Sequence, residues 1–329
     1  MIQNILNLQP NKISTDLTSY NFLLYSTPGI GKTTFAKEMF PEKSLFLGFE
    51  MGGKGIPGII SVAVPNYYTF LQYVDQLDTD EAREVYDTLI IDTTTKVGDI
   101  IEEYILSMFG KDTLGEAKSH GGAYPLINRY YNLAFNRLKA RGYNFVYICH
   151  AKAEDIKNSK NEVIGQKFIP KMSDRINGLI EPEVDYVFFL TKDNNNNRIM
   201  VTDTTPKNVG KQRTNLPVVL PLDIEKFKEE FNKGVLEKGG DMVTNEKAKT
   251  TVIEHKDAER DYKEVVVEIK DLGRQLVDID KGAEATAIVN NRLGQDNNGI
   301  QRTLDQMTQE NIQMLETVVF DLKKLLGQG

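Results

Sequence analysis

The sequence predicts an α/β fold: a mostly parallel sheet with an antiparallel edge hairpin and helices on both faces, followed by a linker and a small helical C-terminal module. Three observations carry that prediction. Over the first 220 residues, short apolar, β-branched and aromatic runs alternate with helix-period stretches, the pattern of parallel strands covered by crossover helices. Two late strands are separated by "TKDNNNN", whose asparagines tolerate positive φ and suit a tight antiparallel turn. After residue 234 the periodicity fades, then returns in helical form only.

In chain order, strands are expected near 21–25 ("NFLLY"), 44–49 ("SLFLGF"), 59–64 ("IISVAV"), 88–92 ("TLIID"), 143–149 ("YNFVYIC"), 184–190 ("VDYVFFL") and 198–203 ("RIMVTD"). Helices are expected between them, near 33–39, 67–77, 96–108, 125–141 and 171–180. Residues 1–234 form the expected core. Residues 235–256, with glycines, charges and little periodicity, read as a linker. In 257–329 apolar residues recur every three or four positions, with Gly273, Gly282 and Gly294 at expected boundaries, as in a module of three helices.

The bulk numbers bound the function. At 329 residues, 40% hydrophobic and 26% charged, the composition is that of an ordinary globular protein, and no apolar run approaches the roughly 20 residues that span a bilayer. "MIQNILNLQPNK" lacks the basic-then-apolar layout of a signal peptide, so the cytoplasm is the expected compartment and no membrane partner is expected. Cys149 is the sole cysteine, which excludes an internal disulfide; with only three histidines besides, a structural zinc site is not expected. The net charge of −7 is uneven: residues 1–222 carry 24 Lys and Arg against 25 Asp and Glu, residues 223–329 carry 16 against 22. Within 105–141, six basic residues face only Asp112 and Glu116, a local surface of net +4.

The stretch "YNFLLYSTPGIGKTT" runs an apolar strand into a glycine-rich turn and then a helix. It matches the phosphate-binding pattern G-x-x-x-x-G-K-[ST] except that Ser26 stands at the first glycine. Pro28, Gly29, Ile30, Gly31, Lys32, Thr33 and Thr34 are the expected nucleotide-binding residues. The glycines let backbone N–H groups turn toward phosphate oxygens, Lys32 reaches the β- and γ-phosphates, and the Thr33 hydroxyl serves Mg²⁺. Ser26 lies at the strand-to-loop corner, where a small side chain fits. Asp92 ends the strand "TLIID" at the sheet edge where ligands bind, and is the expected second Mg²⁺ residue, acting through a water; taken alone it serves equally as a helix cap.

The order of these parts, with a strand ending in Glu50 ("LFLGFE") and another ending in His150 ("FVYICH"), resembles the RecA-like core over residues 18–222, and most of all the phage-encoded RecA-like ATPases of single-strand annealing and recombination. The resemblance implies that Glu50 polarises the attacking water, that His150 senses the γ-phosphate, and that Lys211 and Arg213 in "TTPKNVGKQRTNLP" reach a neighbouring subunit's nucleotide. It also implies that two polar loops face DNA. These are 109–125, with Lys111, Lys118, His120 and Tyr124, and 151–168, with Lys152, Lys157, Lys160 and Lys167, whose lysines would neutralise phosphates while aromatic rings stack bases. The implied function is Mg²⁺-dependent ATP hydrolysis in a ring or filament on single-stranded DNA, coupled to strand annealing or exchange. The alternative is a nucleotide-switched loader or adaptor whose acidic C-terminal helices grip a single-strand-binding protein or another replication protein; a small-molecule kinase has no acceptor-site signature here. No polymerisation peptide is recognised in residues 1–19, so the route to self-assembly stays open.

Overall fold

A computed structural model of the chain describes residues 13–50, 56–118, 122–240, 261–295, 300–308 and 311–327. The chain divides into two compact units, 2–254 and 255–329.

The first unit is a mixed sheet of nine strands: β1 (Phe22–Ser26), β2 (Ser44–Gly48), β3 (Ser61–Ala63), β4 (Thr88–Asp92), β5 (Asn144–Lys157), β6 (Val163–Pro170), β7 (Tyr186–Lys192), β8 (Arg198–Val201) and β9 (Val219–Pro221). Along the sheet they lie in the order β3-β2-β4-β5-β1-β7-β8-β9, with β6 off this path and paired to β5. The pairs from β3 to β7 are parallel; β8 returns antiparallel to β7, and β9 antiparallel to β8.

The helices of this unit are α1 (Lys32–Met39), α2 (Tyr67–Leu77), α3 (Asp80–Val85), α4 (Val97–Phe109), α5 (Leu114–Ala117), α6 (Tyr124–Ala140), α7 (Asp174–Ile180) and α8 (Ile224–Glu237). Side-chain alternation along β1 sorts them into two layers. Leu23 and Tyr25 point into one apolar layer with Phe70 of α2, Ile101 of α4, Phe135 of α6 and Ile176 of α7. Phe22 and Leu24 point into the other, with Phe35 of α1 and Phe227 and Phe231 of α8. Covered on both faces, β1 is buried along its whole length and reads as an unbroken apolar run, as parallel central strands do. Each layer buries many aromatic rings, among them Tyr131 stacked on Phe135 at 4.2 Å and Phe22 on Tyr186 at 5.0 Å.

The second unit has its own core. Val265, Ile269, Leu272 and Leu276 line one face of the helix Tyr262–Asp278 and pack with Leu293 of Gly282–Leu293 and with Leu315, Val318 and Leu322 of Ile312–Leu326. The spacing of four, three and four residues keeps them on a single stripe.

Four expectations change. Residues 151–168 are not a loop: β5 continues past His150 to Lys157 and turns back as β6, an antiparallel ribbon with a register shift at Ile156/Lys157. The reason lies in the composition of 152–157: Lys152, Glu154, Asp155 and Lys157 are all exposed and leave no apolar pattern to read, so the strand rests on backbone pairing with β6 and not on a buried face. In 109–125, Thr113 caps the short α5 with its hydroxyl on the Glu116 N–H. The helix expected at 171–180 starts at Asp174, because Ser173 caps it. The linker does not begin at 235, since α8 runs to Glu237 with Val235 fully buried; its residues 241–256 lie outside the described residues, as do residues 1–12.

Candidate active site

The parallel strands present their C-terminal ends on one edge, and the expected chemistry collects there. β1 ends at Ser26, in register with His150 of β5; Asp92 of β4 is in register with Ile148 of β5 and Gly48 of β2, two residues before Glu50. The Asp92 carbonyl accepts the Phe49 N–H at 2.7 Å and the Glu50 N–H at 3.3 Å, so the backbone fixes Glu50 beside Asp92.

The loop after β1 closes on Gly29 at φ +79° and Gly31 at φ +113°, left-handed conformations that glycine adopts without a Cβ penalty. Gly31 opens α1 with no side-chain cap, so the first N–H groups of the helix are left for an anion. Lys32 folds back, its Nζ donating to Ser26 Oγ at 2.9 Å and to the Ser26 carbonyl at 3.3 Å. Ser26 is itself fully buried, and its hydroxyl donates to the Thr27 carbonyl at 2.6 Å. Burial lowers the Lys32 pKa from its ordinary value against the pull of Asp92.

Thr33 Oγ1 donates to Asp92 Oδ2 at 2.9 Å, which places the two expected Mg²⁺ residues in contact. Burial raises the Asp92 pKa, and the bond from Thr33 and the charge of Lys32 only partly offset it. A hydroxyl beside one under-compensated carboxylate is an all-oxygen donor set. It fits Mg²⁺, which takes one or two protein ligands and fills the rest with water and substrate phosphate; no cluster of three or more His, Cys, Asp or Glu side chains able to hold an ion occurs among the described residues.

His150 Nε2 lies 3.1 Å from Glu50 Oε2. Because an ionised carboxylate only accepts, Nε2 carries the proton, and the buried Nδ1 has no hydrogen-bond partner among the described residues. Burial works against the Glu50 carboxylate, but hydrogen bonding from His150 and then Thr93 outweighs it and holds the pKa below the ordinary value. Thr95 positions His150 by accepting its backbone N–H at 3.2 Å.

The remaining expected residues lie elsewhere. Lys211 pairs through its backbone with Val187, its Nζ on the Glu181 carbonyl at 3.1 Å, and Arg213 Nε is 3.5 Å from Asp185 Oδ1. Both stand toward the N-terminal ends of β1 and β7, at the far side of the sheet from their own phosphate loop. Lys111 and Lys118 are exposed beside α5. Tyr124 begins α6 with the Arg175 guanidinium 5.2 Å from its ring centre. Lys152, Lys157 and Lys160 are exposed on the β5–β6 ribbon, and Lys167 is half-buried opposite Glu154. His120 and the loop 51–55 after Glu50 lie outside the described residues.

Two further contacts had no sequence motif to announce them. Arg198 and Leu222 approach Gly31 from β8 and the residue after β9. Tyr25, one residue before the loop, donates its hydroxyl to the Val209 carbonyl at 2.6 Å and accepts the Val209 N–H at 2.9 Å, with the Phe168 carbonyl at 3.2 Å. An antiparallel return strand starting at the loop's own sheet edge is the signal that leads to Arg198.

No helix among the described residues is long and apolar enough to cross a membrane. No curated protein matches the chain. A family model described as an AAA domain matches residues 18–214, well over half of the sequence and the span that contains the loop, Glu50, Asp92 and His150. The chain therefore belongs to the AAA domain family and is a phosphate-loop ATPase.

Proposed function

We propose that the chain hydrolyses ATP with Mg²⁺ and that turnover is coupled to single-stranded DNA held on the β5–β6 ribbon, in the manner of the RecA-like annealing and recombination ATPases it resembles. Gly29 to Thr34 cradle the phosphates, and Lys32 exchanges Ser26 for the β- and γ-oxygens. Thr33 and Asp92 would hold Mg²⁺, which when bound would supply positive charge beside the transferred phosphoryl. Glu50 orients the attacking water and accepts its proton, and His150 turns its Nε2–H from Glu50 to the γ-phosphate. Lys211 and Arg213, remote from their own loop, serve the neighbour's nucleotide in a ring or filament.

One observation carries the coupling. β5 is a single strand that holds His150 on Glu50 and continues without a break into the ribbon bearing Lys152, Lys157 and Lys160. A polyanion drawn to those lysines acts on the strand that positions the catalytic pair.

The test is ATP turnover with and without single-stranded DNA at roughly 50 and 200 mM salt. Phosphate neutralisation predicts stimulation that falls steeply with salt. Unchanged turnover, together with no DNA binding at low salt in the presence of ATP and Mg²⁺, removes the proposal.

A second reading has its own support. The C-terminal unit carries an independent hydrophobic core and an acidic balance, which suit a protein-gripping module of a loader or adaptor. Capture of a single-strand-binding protein by the full chain, without DNA binding, selects that reading.

A further inference from the structure

Around the phosphate loop, the groups assigned to hydrolysis all lie on one flank. Asp92, Glu50 and His150 belong to β4, to the turn after β2 and to β5, on the β5 side of β1. The opposite flank of the loop is formed by β7, β8 and β9, which leaves that side for the nucleoside of a nucleotide whose γ-phosphate meets the first.

On that flank two side chains converge on Gly31. A guanidinium nitrogen of Arg198 lies 3.5 Å, and a methyl of Leu222 4.0 Å, from the point that a β-carbon on Gly31 would occupy. The two residues are fixed side by side, because the Leu222 N–H donates to the Arg198 carbonyl at 3.0 Å. The backbone of Arg198 is held in the β8 ladder opposite Lys192. Its side chain is exposed and has no ion-pair partner among the described residues. A planar cation and an apolar branch at one end of a phosphate cradle offer one face for stacking and one for burial, which suits an aromatic ring.

We propose that Arg198 and Leu222 form the nucleobase subsite, with the guanidinium plane stacked on a purine and Leu222 packed on its edge. This rests on the reading of the loop as an ATP site. The larger π-face of a purine gains more from such stacking than a pyrimidine does, so the pair favours ATP over CTP and UTP.

The test is calorimetric titration of the full-length protein with ATP and with inorganic tripolyphosphate, both with Mg²⁺, for the wild type, Arg198→Ala and Arg198→Lys. The expected result is an ATP Kd raised roughly five- to twentyfold in both variants, with tripolyphosphate binding unchanged. Arg198→Lys keeps the charge and loses the plane, so recovery of ATP affinity in that variant overturns the stacking role. An equal loss for tripolyphosphate reassigns Arg198 to phosphate and likewise overturns it, as does an unchanged ATP Kd. If the wild type binds neither ligand, the ATP-site reading fails instead, and circular dichroism of each variant separates loss of binding from loss of fold.

Discussion

Glu50 and His150 are bonded to each other at 3.1 Å, so the carboxylate assigned to water activation and the imidazole assigned to the γ-phosphate form one unit. Glu50→Gln should leave ATP affinity within about twofold while turnover falls at least about 100-fold, as loss of a general base does. The wild-type carboxylate has a depressed pKa, so it stays ionised as pH falls and is lost only on passing below the ordinary glutamate range. His150→Ala removes the leading cause of that depression. The acid limb of the kcat/KM profile should then move to higher pH, and a limb that stays in place would separate the two residues.

Asp92 carries the opposite sign. Its pKa is raised by burial, so folding of the free protein favours the protonated form; the contribution to stability is greatest at low pH and declines as pH rises through the folded value. At neutral pH Asp92→Asn should therefore melt higher than the wild type in the absence of ligand, by about 2–4 °C for each ~1 kcal/mol relieved. It should also lose the further stabilisation that Mg²⁺ and ATP together give the wild type. Thermal melts with and without Mg²⁺ and ATP measure both effects, and a lower unliganded melting temperature would contradict the assignment.

Ser26 supplies a hydroxyl that accepts from Lys32 Nζ at 2.9 Å. Ser26→Gly restores the usual loop residue and removes that competitor, so ATP should bind a few-fold tighter. A glycine at the buried end of β1 should also lower stability by roughly 0.5–1 kcal/mol. Calorimetry and urea denaturation read the two changes separately.

Cys149 is fully buried on β5 beside Thr95, and burial pushes its thiol up to about 11. Since the thiolate is the reactive form, the native protein should resist alkylation at pH 8, whereas denaturant should expose one reactive thiol per chain. Thiol titration before and after denaturation checks this, and rapid native labelling would mean that β5 opens locally.

What was legible in the sequence followed from local rules. β1 and β4 are apolar runs that end at a glycine-rich turn and at an aspartate, and their ends fell within a residue of expectation because burial on both faces leaves little else to read. The ribbon is not legible because it is exposed on most of its length: Lys152, Glu154, Asp155 and Lys157 bury no face, so no apolar pattern marks the strand. Arg198 and Leu222 were invisible for a different reason: 167 positions separate Arg198 from Gly31, and only the antiparallel return of β8 brings them together. Glu50 and His150 each follow a legible apolar run, but Glu50 lies two residues past β2 and His150 within β5, which continues to Lys157; their bond depends on the backbone of Asp92 fixing Glu50, which no spacing encodes.

Tyr25 joins what the chain keeps far apart. Its hydroxyl ties the last stretch of β6, at Phe168, and the segment 204–217, at Val209, to the residue that precedes Ser26. The molecule thus has a common anchor point. A pull on the ribbon or on the segment bearing Lys211 and Arg213 is delivered as a load on the same ring, one peptide from the phosphate loop, whichever of the two is pulled.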